Sequence, residues 1–134
     1  MSDRESIDRF FQSSVFGVVG ASADRTKYGN RVLRAYQQKG LEAIPVNPKE
    51  ATIEGIACVA AIAELPSTVK SISVITPPSV TERVVEEAIG KGIANIWMQP
   101  GAESAAAVEK CRSSNVNVIA DGSCILVVLG YRDH

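Results

Sequence analysis

The stretch VFGVVGASADRTKYGNRVLRAYQQKGLEAIPV, from Val15 to Val46, decides the fold. Val15 to Val19 is a short, β-branched, nearly continuous apolar run, the pattern of a strand buried on both faces. Ala43 to Val46 reads the same way. Between them, Tyr28, Val32, Leu33 and Tyr36 recur at helical spacing, and Gly40 follows as a C-terminal stop. Strand, loop, helix, strand is a crossover unit that makes two strands parallel.

Working outward, the pattern repeats. Ser71 to Ile75, Ile93 to Met98 and Val116 to Ala120 are three further strand-like runs. Ser79 to Lys91 keeps helical spacing, with Ser79 and Glu82 spaced as a capping box and Gly92 as the stop. An alanine-rich helix is expected over Glu103 to Ser113, burying Ala106, Ala107 and Cys111 or Val108. A short helix is expected over Val59 to Glu64, stopped by Pro66. Ile7, Phe10 and Phe11 give residues 1–12 a helix that docks on the sheet edge. Together these predict one α/β domain over residues 1–134, with its core over 13–130. It is a doubly wound parallel sheet of about five strands with helices on both faces.

The chain of 134 residues is 46% hydrophobic and 22% charged, as expected of a soluble globular protein. Fourteen basic and fifteen acidic residues leave a formal charge of −1, which gives no field for nucleic acid or an anionic membrane. Any anion must be held locally. The apolar runs fall short of the ~20 residues of a membrane span, and the polar start, Met1-Ser2-Asp3-Arg4-Glu5, lacks the apolar stretch of a signal peptide. The cytoplasm is the expected location. Cys58, Cys111 and Cys124 are odd in number and have no CxxC spacing, so neither a disulfide scaffold nor a zinc or other metal site is expected. The one histidine, His134, is the last residue.

In an open parallel sheet, ligands bind beyond the carboxyl ends of the strands, where strand order reverses. The first such loop begins Gly20-Ala21-Ser22 and carries Arg25, Lys27 and Tyr28 into the helix. Gly20 allows close backbone approach, the amides entering the helix suit a pyrophosphate, and Arg25 and Lys27 add positive charge. The loop is neither GxGxxG nor GxxxxGK[ST], and a plain strand-to-helix turn remains open on the loop alone. The second strand ends in Val46-Asn47-Pro48-Lys49, an amide and a cation where an NAD domain carries an acid, which favours a nucleotide with a ribose phosphate. Thr76-Pro77-Pro78 makes a rigid, mainly apolar wall. Met98-Gln99-Pro100 and Asp121 lie at later strand ends, where Gln99 and Asp121 are candidates to face the ligand. Trp97 belongs to the core or to a subunit interface.

The succession Gly20-Ala21-Ser22, Tyr28-Gly29-Asn30-Arg31-Val32, Ile44 to Lys49, Gly55, Glu64-Leu65-Pro66, Thr76-Pro77-Pro78, Ala88 to Gly92 and Ile96 to Gly101 resembles the stand-alone CoA-binding domain proteins. Those are similar in turn to the nucleotide-binding domain of the succinyl-CoA synthetase alpha subunit. The resemblance runs from about Val15 to Cys124 and implies a Rossmann-like fold with coenzyme A at the strand tips. By position, Gly20, Ala21 and Ser22 lie over the phosphates and Lys27 and Lys49 answer charge. Thr76, Pro77 and Pro78 line the pantetheine, with Met98, Gln99 and Pro100 further along that rim. The family often carries Asp-x-Cys-Pro at the last strand tip, where this chain has Asp121-Gly122-Ser123-Cys124-Ile125. The ligase's phosphohistidine belongs to a further domain, and His134 does not match its position.

The expectation is therefore a non-catalytic CoA-binding module, acting as a homodimer or beside a partner enzyme subunit. The alternative is an NAD(P)-binding oxidoreductase or regulatory domain, supported by fold alone. A third possibility is a mixed disulfide between the CoA thiol and Cys124, with Cys58 and Cys111 buried and inert. The apolar tail Ile125 to Leu129 is expected to extend the sheet or join two chains.

Overall fold

In the computed structural model, which describes residues 2–133, five strands form one parallel sheet. They are β1 (Val15–Val19), β2 (Glu42–Val46), β5 (Ser71–Val74), β6 (Asn95–Met98) and β7 (Asn117–Ile119), in the order β2-β1-β5-β6-β7. Val19 pairs with Val46 on one side and Val74 on the other. The chain moves outward from β1 to β2, then crosses back to place β5 on the far side of β1. Strand order reverses there, between β1 and β5.

The pleat sorts the core into two layers, because successive side chains on a strand point to opposite faces. Val15 and Val19 of β1 join Ile72, Val74, Ile96 and Met98 on one face, covered by α3 (Pro78–Lys91) and α4 (Ala105–Ser113). Phe16, Val18 and Trp97 point to the other, covered by α1 (Asp3–Phe10), α2 (Tyr28–Gln38) and α5 (Ile125–Val128). Helices thus lie on both faces, and the fold is Rossmann-like. On the second face, Phe10 meets Trp97 edge-on at 5.3 Å between ring centres, while Phe16 stacks on Tyr36 at 5.0 Å. Trp97 is fully buried core, its indole Nε1 donating to the Ser123 carbonyl at 3.0 Å.

Aromatic packing and side-chain hydrogen bonds dock α1 beside β6 and β7. Ser71 Oγ donates to the Phe10 carbonyl at 3.0 Å and Asn117 Nδ2 to the Ser6 carbonyl at 2.9 Å. The expected stop of α2 at Gly40 is present: Gly40 has φ +69°, and the Leu41 amide closes back on the Tyr36 carbonyl at 3.0 Å.

Several local expectations are corrected. The helix over Val59 to Glu64 shrinks to a single 3₁₀ turn, Ile62–Glu64. Val59 is instead held extended against β2, its amide donating to the Pro45 carbonyl at 3.0 Å. Before it, β3 (Thr52–Ile53) and β4 (Ile56–Ala57) form an unforeseen hairpin around Glu54 and Gly55, both at positive φ. The Ser79–Glu82 capping box does not form. Pro77 is held extended by the proline after it, so α3 starts at Pro78, and Glu82 accepts from Ser104 Oγ at 2.8 Å. Ser104 caps α4 instead, which buries Ala107 and Cys111 and leaves Ala106 exposed. Ile125 to Leu129 does not extend the sheet: it turns into α5, with Ile125 buried against the aromatic face and Val127 79% exposed.

Candidate functional site

Where strand order reverses, β1 runs into α2 through a loop that two glycines allow. Gly20 has φ +93°, and a β-carbon there would be driven into the Ile75 carbonyl; one at Gly29 would be driven into the Gly20 carbonyl. The first turn of α2 therefore lies directly on the end of β1. Asn30 Nδ2 donates to the Ser22 carbonyl at 2.9 Å, and Asn47 Nδ2 donates to the Ala21 carbonyl at 2.9 Å. These two amides, one from α2 and one from the tip of β2, commit the carbonyls of the loop. Further along, Asp24 Oδ1 accepts from the Thr26 amide at 2.9 Å and its hydroxyl at 2.7 Å, which holds the Asp24 carboxyl below its ordinary range.

The helix starts differ in their caps. Ser2 caps α1 and Ser104 caps α4, whereas Lys27 at the start of α2, like Pro77 before α3 and Cys124 before α5, gives no side-chain cap. The first amides of a helix have no partner within it and carry its positive pole. Those of α2 open on a cleft of about 650 Å³. Its lining includes Gly20, Ala21, Ser22, Thr26, Lys27, Tyr28, Gly29, Asn47 and Ile75, with Tyr28 57% exposed. Ile75 also walls a second cleft of about 310 Å³, lined by Thr76, Pro77, Gln99, Pro100, Gly101 and Ala102. The two share Ile75 as a common wall near the ends of β1 and β5, with Lys27 lining the first and a mainly apolar surface lining the second.

Of the residues singled out in the sequence, Gly20, Ala21, Ser22, Lys27, Tyr28 and Asn47 line the first cleft, and Thr76, Pro77, Gln99 and Pro100 the second. The others stand elsewhere. Arg25 pairs with Glu54 of the hairpin at 3.3 Å. Pro48 and Lys49 are exposed at the tip of β2 and Pro78 is exposed at the start of α3, all outside both linings. Val46 is buried, and Met98, 1% exposed, is core rather than rim, because the pleat turns it toward α3 and α4. Gln99, although it borders the second cleft, turns its amide inward: its Oε1 accepts from the Ile125 amide at 2.7 Å and its Nε2 reaches Cys124 Sγ at 3.4 Å. Asp121 lies beside α1 and α4 with Asp3, Ser6 and Arg112, its carboxyl held low by bonds from Ser123.

Cys111 is buried, and burial pushes its thiol up to about 11. Cys58 is half-buried rather than fully buried, its thiol raised by burial and then by Glu50. Cys124 is half-buried at the start of α5. Among the described residues no cluster of His, Cys, Asp or Glu is placed to hold a metal, and no helix is long and apolar enough to cross a membrane. His134 lies outside the described residues.

Sequence reasoning passed over three residues that shape the site: Asn30, Glu54 and Arg34. Asn30 stands in the quoted Tyr28-Gly29-Asn30 motif, but its contact with Ser22 is tertiary. Glu54 gathers Asn30 Nδ2 at 3.1 Å and Arg25 Nε at 3.3 Å from a hairpin that local pattern did not announce.

Comparison with known proteins bears on this geometry. A family model described as CoA binding domain matches residues 14–130. The chain is 28% identical over 81 residues to ADP-forming acetate-CoA ligase I of Archaeoglobus fulgidus, covering 60% of this chain and 12% of that protein. It is 26% identical over 91 residues to the alpha subunit of ADP-forming acetate-CoA ligase II of Pyrococcus furiosus, covering 67% of this chain and 20% of that one. The chain thus spans a fifth or less of these curated relatives. Among solved structures, a conserved hypothetical protein of Pyrococcus furiosus superposes with a TM-score of 0.81 at 39% identity, covering 84% of this chain and 97% of that one.

Proposed function

The chain belongs to the CoA binding domain family, and from that premise we propose that it holds coenzyme A, without transforming it, along the carboxyl ends of β1, β5 and β6. The observation that carries this reading is the uncapped start of α2 facing a cleft floored by Gly20 and flanked by Lys27. A pyrophosphate there meets unpartnered amides, the positive end of a helix and an ammonium group. The two adjoining clefts suit a long ligand with an anionic head and a less polar arm. The pantetheine arm would follow Ile75, Thr76 and Pro77 toward Pro100 and Gly101, and Lys49 at the tip of β2 would answer the ribose phosphate. Arg25 pairs with Glu54 through Nε, which leaves its terminal NH2 groups to answer a phosphate.

The titratable side chains lining the first cleft are Lys27 and Tyr28, and in this reading both bind the ligand rather than move a proton on it. We place this activity in the cytoplasm, with a second copy or an enzyme subunit as protein partner. The second choice is motivated by relatives in which the matched stretch is part of a ligase or a ligase subunit.

Isothermal calorimetry with CoA, dephospho-CoA, NADP and NAD tests the reading. CoA is expected to bind most tightly and to weaken when its 3′-phosphate is removed. Equal affinity for CoA and NADP would refute the assignment in favour of a nicotinamide nucleotide. CoA recovered unchanged after incubation with acetate and ATP is the expected mass-spectrometric result, and acetyl-CoA formation would overturn the non-catalytic part.

A further inference from the structure

We propose that Arg34 is the positioning residue for the ligand loop, and that residues 131–133 form a strap holding it in place; the inference rests on the CoA-binding reading of the cleft. Arg34 lies on α2 and is only 6% exposed. A buried cation is retained where its surroundings satisfy it, and a lone ion pair is a poor reason for burying one. Its carboxylate partner, Asp133, is 3.4 Å away with a side chain 61% exposed, a pairing that solvent weakens.

The other partners are neutral and both bear on the loop. Nε donates to Asn30 Oδ1 at 2.6 Å, and Nη2 donates to the Arg25 carbonyl at 3.0 Å. Asn30 in turn holds the Ser22 carbonyl. One planar guanidinium, with its donors in a fixed fork, thereby ties both ends of residues 22–25 to the helix whose amides open on the cleft. Arg34 lines neither cleft, so it acts through the loop rather than on the ligand.

The strap covers the guanidinium from outside. The Tyr131 ring lies 5.4 Å from Arg34 Cζ, and Tyr131 Oη donates to Asp133, which also accepts from Arg34. Gln38, one turn further along α2, grips the strap through both backbone groups of Arg132, at 2.7 and 3.0 Å. Loss of the fork removes the Arg34 tether from Asn30 and from the Arg25 carbonyl together, leaving Glu54 as the remaining side-chain hold on both residues. Apparent affinity then falls in proportion to the fraction of molecules with the loop in place.

The test compares Arg34→Met, Arg34→Lys, Asp133→Asn and Tyr36→Phe in the full chain. Calorimetry reads CoA affinity, urea unfolding reads global stability, and amide exchange reads the loop at Asp24, Thr26 and Lys27 without ligand. Tyr36→Phe removes a buried hydrogen bond from the same helix without touching the loop, and so controls for lost stability. Arg34→Met is expected to weaken CoA about tenfold, the scale of one lost charge-assisted bond, and to speed loop exchange. Tyr36→Phe is expected to bind as the parent does. Asp133→Asn, which loosens the strap, is expected to show a smaller loss of affinity in the same direction. Arg34→Lys keeps the charge but cannot span both acceptors, and is expected to remain several-fold weak. Parent-like binding by Arg34→Met, an equal loss in Tyr36→Phe, full rescue by lysine, or an unaffected Asp133→Asn would overturn the proposal. Should the parent not bind CoA at all, the functional reading fails. The ligand-free exchange then decides the role of Arg34 by itself, unchanged loop protection refuting it.

Discussion

Alanine at Gly29 and alanine at Gly90 are the same substitution in two helices, with opposite expected signs. On an exposed helix, replacing glycine by alanine gains roughly 1 kcal/mol, because alanine loses less backbone freedom on folding. Gly90, exposed in the last turn of α3 with nothing within 4 Å of a new β-carbon, should realise about half of that or more. At Gly29 the added carbon is driven into the Gly20 carbonyl, with Gly20 C at 3.0 Å and Ala21 Cα at 3.2 Å. All three are backbone atoms that no rotamer change can move aside. Overpacking of this kind costs about 1–3 kcal/mol, and a backbone obstacle belongs at the upper end. After the propensity gain, a net loss of about 1–2 kcal/mol remains. The clash also pushes the first turn of α2 off the loop, so CoA affinity should fall about tenfold or more through a weakened charge-assisted bond. Urea unfolding followed by the buried Trp97 reads the first effect and calorimetry the second. A Gly29→Ala protein at least as stable as the parent, binding CoA unchanged, would refute both the close approach and the cleft built on it.

Three further predictions follow from particular groups. Asp24 has its carboxyl depressed below the ordinary 3.8 by hydrogen bonds from Thr26; the ordering it supplies is therefore complete above pH 3.8 and lost as pH falls through the lower folded value. NMR of the Thr26 amide across that range should show the loop releasing in acid, and Asp24→Asn should abolish the transition; an amide indifferent to both would contradict the bond. Cys111, raised from 9.0 to about 11, favours the folded state fully below pH 9.0 and progressively less as pH climbs toward 11. Native alkylation at pH 8 should label it last of the three thiols, and labelling as fast as in urea would contradict its burial. Tyr36→Phe strands the Ser73 hydroxyl, now bonded at 2.6 Å, and should cost about 1–2 kcal/mol, much of it recovered when Ser73→Ala is added; an additive double mutant would argue against the bond.

Wherever the backbone obeyed a period, the sequence was legible. Val15 to Val19 and Ala43 to Val46 read as buried strands because both faces of a central parallel strand must be apolar, and Gly40 read as a stop because few other residues tolerate its φ. The errors fell where adjacent prolines or distant partners overruled the pattern. Ser79 and Glu82 have capping-box spacing, yet Pro77 and Pro78 reset the helix start and Ser104 took the carboxylate. Val59 lost its helix to β2, and Ile125 lost its strand to Gln99 and the aromatic core.

The sequence by itself determined the alternation of strand and helix, the glycine-bearing loop after β1 and the cationic residues around it, since these depend on periodicity and on single residues whose backbone or charge is their own. Only the tertiary structure decided which of those residues meet. It paired Arg25 with Glu54, turned Met98 and Gln99 inward, and buried Arg34 under a strap nearly a hundred positions away in the chain. The physical reason is that a side chain's face and partner are set by the pleat, the crossover and the segment packed above it. No local window of sequence contains those neighbours.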